Sequence, residues 1–104
     1  MADVPTTVMK NLQRFLVLVG KRKGIDAPYV YGSQARGTAT EWSDIDVAVV
    51  SHDFSADLFE ERLALMRLAA GVDDRIEPHP FTPEDFTSNH PLVAEIQRTG
   101  VRIL

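Results

Sequence analysis

The chain has 104 residues, 44% of them hydrophobic and 25% charged, with a formal net charge of −4. These values describe one domain, residues 1–104, with a single core, ordinary globular composition and too little chain for a separate acceptor-binding domain. The acidic balance weighs against broad nucleic-acid binding, which favours a basic face, and the absence of cysteine excludes disulfide frameworks and zinc–thiolate sites.

Val8, Leu12, Phe15, Leu16 and Val19 recur at helical spacing and predict an amphipathic helix over 7–23. The run Lys21-Arg22-Lys23 would complement the helix dipole, with Gly24 as terminator; phosphate binding is the alternative use. The uninterrupted apolar stretch 15–19 is too short to cross a bilayer. Asp3 and Pro5 do not suit a secretory leader, so a cytoplasmic protein is expected. Residues 27–31 read as a strand leading into Gly32-Ser33. Residues 33–37 then begin a short helix, with N–H groups directed at bound phosphate. Gly37 permits a tight bend before a loop over 38–41.

A strand is predicted over 43–50. Alternation turns Ile45, Val47 and Val49 to one face and Asp44, Asp46 and Ala48 to the other. Leu58, Phe59, Leu63, Met66, Leu68, Ala69 and Ala70 mark a second amphipathic helix, ended near Gly71. A third strand over 75–81 is expected to be bent or finished early by Pro78 and Pro80. Thr82-Pro83-Glu84-Asp85 has the form of a helix start. A last helix is expected over 91–99, stopped by Gly100 before an apolar tail over 101–104. This order predicts a small α/β (α+β) sandwich.

The chemistry concentrates in YGSQARGTATEWSDIDVAVV. Gly32 lets backbone approach an anionic group without a side chain in the way, and Ser33 supplies a hydroxyl and an N–H. Asp44 and Asp46 are hard oxygen donors on one strand face. Two such charges repel unless a cation lies between them, which makes them candidate Mg2+ ligands. A phosphate cradle followed by a metal-binding carboxylate pair suits two-metal phosphoryl or nucleotidyl transfer. Arg36 would neutralise phosphate charge or brace the loop against an acid. Trp42 is a candidate for base stacking or partner contact, with packing at the core edge preferred. His52, His79 and His90 show no ligand spacing, although His79 alternates onto the Glu77 face. Walker, Rossmann and Ser-His-Asp patterns are absent.

Gly32-Ser33, Ala35-Arg36-Gly37 and Ser43-Asp44-Ile45-Asp46 together resemble the signature of the DNA polymerase beta-like nucleotidyltransferase superfamily. Within it they resemble the MNT-type minimal domains, which often act as antitoxins beside a helical HEPN-domain partner. The resemblance is dense over 29–50 and looser elsewhere. It implies helices packed on a small mixed β-sheet, two Mg2+ ions, and ATP as substrate. It also implies AMP transfer to a hydroxyl, plausibly a tyrosine of the HEPN toxin. A third carboxylate completes a metal site and serves as base in that family. Glu77 holds the matching place where aspartate is commoner, and Asp74 is the fallback. A non-catalytic antitoxin with a remnant site is the alternative reading. A small-molecule transferase ranks last, because such enzymes carry an added helical domain. Homo-oligomerisation is left open.

Overall fold

Residues 4–87 and 89–103 are described by the computed structural model; Asp3 and Leu104 lie outside them. Helix α1 (Thr6–Gly20) buries the expected stripe of Val8, Leu12, Phe15, Leu16 and Val19. It ends at Gly20, three residues before the expected end, and Gly24 is not its terminator. The Gly24 N–H is held instead by the Asp53 carboxylate at 2.6 Å, and Lys23 Nζ stands 3.4 Å from Glu61. Lys23 of the basic run thus ties the end of the helix to the Asp53 carbonyl and to Glu61.

Four strands form one mixed sheet: β1 (Ala27–Tyr31), β2 (Ile45–Val50), β3 (Ile76–Phe81) and β4 (Val101–Arg102). Their order is β3-β2-β1-β4, with β2 and β3 parallel and the other pairs antiparallel. The expected apolar tail thus supplies an edge strand, and β2 begins at Ile45 rather than Ser43. The two prolines do not finish β3 early; it runs on to Phe81. It is an edge strand, and its odd-numbered residues turn their backbone toward β2. The Phe81 carbonyl accepts from Ser51 N at 3.0 Å, and the Arg75 carbonyl accepts from Ile45 N at 2.8 Å. Pro78 and Pro80 share the opposite parity, so their missing N–H groups fall on the free edge, where no ladder bond is lost.

Two apolar layers sandwich the sheet. On one face α1 and α3 (Leu58–Ala70) close over Val30, Ile45, Val47, Val49 and Ile76. On the other, Phe86 in a 3-10 turn (Asp85–Thr87) and Val93 and Ile96 of α4 (Pro91–Thr99) close over Tyr31, Ala48 and Val50. The Thr82 pattern thus yields a single turn rather than a helix, with Thr82 Oγ1 accepting from Asp85 N at 3.2 Å. Helix α3 is capped by Asp57 and buries only Leu65 and Ala69. Phe59 and Met66 of the expected apolar stripe turn outward, 70% and 40% exposed. Seven apolar residues span more of a helix than one contact line on a sheet can cover. Among the described residues no helix is long and apolar enough to cross a membrane.

One polar knot joins this frame at the base of β3. Asp73 accepts from Asn11 of α1 at 3.0 Å and from Arg75 Nε and Nη2 at 3.1 and 2.9 Å. The Arg75 guanidinium, with burial opposing it, holds the Asp73 carboxyl down at about 2. A depressed carboxyl contributes stability above its unfolded value near 4 and loses it as pH falls through the folded one. Asp73→Asn is therefore expected to cost about 1–2 kcal/mol at neutral pH. It should also flatten the stability profile between pH 4 and 2, which urea melts across that range would read.

Candidate functional site

β1 ends at Tyr31 and hands the chain to Gly32, whose backbone lies at φ 69° and ψ −147°. That combination is essentially reserved for glycine. A Cβ there would meet the Asp46 Oδ2 at 2.5 Å, so the turn and the Asp46 carboxylate are in direct apposition. Ser33 opens α2 (Ser33–Arg36), a single turn closed by Gly37 in the left-handed conformation. Gln34 and Ala35 of that turn are buried, while the guanidinium of Arg36 lies 3.5 Å from Glu95.

Sheet register assembles the acids. Tyr31 pairs with Asp46 across β1–β2, and Asp46 pairs with Glu77 across β2–β3. Ile45 and Ile76 face the first core, so Asp46 and Glu77 share the opposite face, at the margin of the layer capped by α4. Asp44 immediately precedes β2 and is exposed. Burial, then the charges of Asp44 and Glu77, push the Asp46 carboxyl above its ordinary value, against the pull of Arg36. Glu95 adds to this upward push, which brings α4 to the rim of the site. Glu77 is 3.6 Å from Arg62 of α3. Asp74 lies in the loop before β3 with its charge acting on Arg75. Tyr31 is buried beneath the acids, and burial together with the Asp46 charge drives its hydroxyl upward. His79 stands beside the Tyr31 ring, 6.0 Å between centroids, and is pushed down by burial and by Arg62.

One placement departs from expectation and three residues lie outside it. Trp42 is 84% exposed, not packed at the core edge. The turn carrying it is closed by Ser43 N on Thr40 O at 3.1 Å and Thr40 N on Ser43 Oγ at 2.8 Å, which leaves the indole outside. Arg62, Glu95 and Gln34 were not foreseen. The first two reach the site from helices distant in sequence, and nothing local marks them.

The donor chemistry fits a divalent ion. Mg2+ prefers one or two carboxylates completed by phosphate oxygens and water, not a cage built wholly of protein. Asp44 and Asp46 are two such carboxylates, near enough for the charge of Asp44 to act on Asp46, which stands against the Gly32 turn. Among the described residues no three His, Asp or Glu side chains converge as a metal-holding group, so Glu77 does not close a three-ligand set with the pair.

The sequence matches the family described as nucleotidyltransferase domain over residues 12–99. The chain belongs to that family. No curated protein matches it at a significant level. The nucleotidyltransferase domain is similar in fold to a toxin–antitoxin complex solved with AMP-PNP. The TM-score is 0.66 and the identity 20%, over 92% of this chain and 72% of that one. It is also similar to a candidate nucleotidyltransferase from Sulfolobus solfataricus. There the TM-score is 0.62 and the identity 18%, over 91% of this chain and 78% of the other. At these identities the likeness is one of fold.

Proposed function

We propose that the protein is a metal-dependent nucleotidyltransferase acting as an antitoxin, moving AMP from ATP to a hydroxyl, plausibly a tyrosine of a helical HEPN-domain toxin. The observation that carries this reading is the apposition of the Asp46 carboxylate to the Gly32 turn, where a Cβ would come within 2.5 Å of Oδ2. Metal ligand and phosphate cradle are thereby parts of one surface. The nucleotide analogue in the similar toxin–antitoxin structure supports both nucleotide and partner.

In this reading Gly32 and Ser33 seat the triphosphate and Arg36 offsets its charge, while Asp44 and Asp46 hold two Mg2+ ions. Bound there, the ions supply Lewis-acid stabilisation of the charge that develops on phosphate. The acceptor oxygen attacks the α-phosphorus and the bond to the bridging oxygen breaks. Pyrophosphate leaves, and the hydroxyl proton passes to Glu77. Glu77 occupies the register position beside Asp46 and stands 3.6 Å from Arg62. Glu77→Gln removes the proton acceptor but not the carboxylate pair. Turnover is therefore expected to fall about 10²–10⁴-fold with residual activity, at little cost to nucleotide binding.

The test is incorporation of label from radiolabelled ATP into a HEPN-domain partner, with and without Mg2+. Labelling that needs metal and Asp46 supports the reading. The second reading, a non-catalytic antitoxin, draws on the Arg62–Glu77 ion pair, which occupies the third carboxylate. Toxin neutralised by wild type and Asp46→Asn alike, without labelling, would establish it instead.

A further inference from the structure

Gln34 is 2% exposed, one of two buried polar side chains among the described residues, and the core has no evident use for it. Its Nε2 faces the Asp44 carbonyl at 3.5 Å, and its Oε1 has no hydrogen-bond partner. Burying an amide with half its capacity unmet is costly, whereas leucine or methionine would fill the same space without that cost. A carbonyl only accepts, so the amide nitrogen must be the end turned to Asp44, and the orphaned oxygen follows from that orientation.

The contact falls on an informative peptide. The Asp44 carbonyl and the Ile45 N–H belong to one planar unit, and the N–H end is already fixed on the Arg75 carbonyl at 2.8 Å. A unit held at one end can pivot about that bond. Holding the carbonyl as well fixes its plane, and with it the direction in which the exposed Asp44 side chain leaves the backbone. Gln34 also directly follows Ser33, so the same side chain couples the Gly32-Ser33 turn to the start of the aspartate strand.

We infer that Gln34 is a positioning residue: it sets the Asp44–Ile45 peptide so that the Asp44 carboxylate is directed for divalent-cation binding beside the phosphate turn. The inference rests on the reading of Asp44 as a metal ligand, and the experiment separates the two. Mn2+ binding to the full chain is titrated by electron paramagnetic resonance in wild type, Gln34→Met and Asp44→Asn, with thermal melts alongside. Gln34→Met keeps the volume and removes the bond. Mn2+ affinity should fall about tenfold, the scale seen when a residue orienting a metal ligand is lost. The melting temperature should hold or rise, since the unmet amide is gone, and raised metal should restore occupancy, because the carboxylate is misdirected rather than missing. Asp44→Asn should bind more weakly still.

Wild-type affinity in Gln34→Met with weakened binding in Asp44→Asn overturns the positioning role alone. Wild-type affinity in both overturns the metal reading, and the inference with it. Should Gln34→Met fail to fold, the side-chain amide resonance of Gln34 in the wild-type protein decides. It should shift and its exchange slow when Mg2+ is added, and an unchanged signal overturns the inference.

Discussion

Asp46→Asn is expected to abolish nucleotidyl transfer and to raise the metal-free melting temperature of the same protein. The two effects have one origin. Asp46 is held half-buried against Gly32, facing Asp44 and Glu77, and burial with those charges pushes its carboxyl upward. A carboxylate whose folded value stands above its unfolded one costs stability at every pH above both, because the native state resists losing that proton. The penalty sets in as pH rises from the unfolded value through the folded one, and asparagine removes it while keeping size and shape. The same substitution removes the charge that would hold a divalent ion. A metal contributes several kcal/mol to the transition state of such a displacement, so a loss of about 10³-fold or more is expected. Asp44→Asn should lose activity similarly, with a smaller gain in melting temperature because Asp44 is exposed. Wild type should gain about 1.4 kcal/mol from Mg-ATP at ten times its dissociation constant, and neither variant should. Melts with and without Mg-ATP, beside label incorporation, read all of this. An Asp46→Asn protein that is less stable without metal, or that still transfers AMP, overturns the site assignment.

The strands were legible wherever one face had to be apolar. Residues 27–31 and 45–50 are short apolar runs, buried on both faces over 47–50, and the parity that set Asp46 opposite Val47 follows from geometry alone. That β3 passes through Pro78 and Pro80 was not legible, since it depends on the strand lying at the edge with both nitrogens on the free side. Sheet order is a property of the whole chain. Helix ends were blurred for a similar reason. Gly24 looks like a terminator until Asp53, distant in sequence, is seen to hold its N–H. The site divides the same way. Gly32, Ser33, Asp44 and Asp46 lie within one short stretch and were readable from residue type and spacing. Glu95, Arg62 and Gln34 act through tertiary placement, and a glutamine inside a helical turn gives no outward sign that its amide faces a backbone carbonyl 10 residues further along. Trp42 misled because an aromatic residue before a strand is more often packed than displayed, and the closed turn at 40–43 displays it.

Gly32→Ala should damage both fold and chemistry, by separable routes. The backbone at φ 69° and ψ −147° lies in a region that side chains with a Cβ scarcely occupy, at a cost of order 1–3 kcal/mol. For a domain of this size each kcal/mol lowers the melting temperature by roughly 4–8 °C. The added methyl would also stand 2.5 Å from Asp46 Oδ2 and 3.4 Å from its Cγ, so the carboxylate must swing aside. Relief by that rotation costs the fold less than the backbone conformation does, and it is ruinous for a metal ligand, which would leave the turn it faces. Activity should therefore fall by more than the loss of folded protein explains, even below the lowered melting temperature. The double variant Gly32→Ala/Asp46→Gly tests the steric half directly, since removing the Asp46 side chain removes the clash. Part of the stability lost in Gly32→Ala should return, leaving the backbone cost, while transfer stays abolished. If the second substitution adds its own destabilisation without any recovery, the Asp46 carboxylate does not stand over Gly32, and the shared surface of cradle and metal ligand is not there.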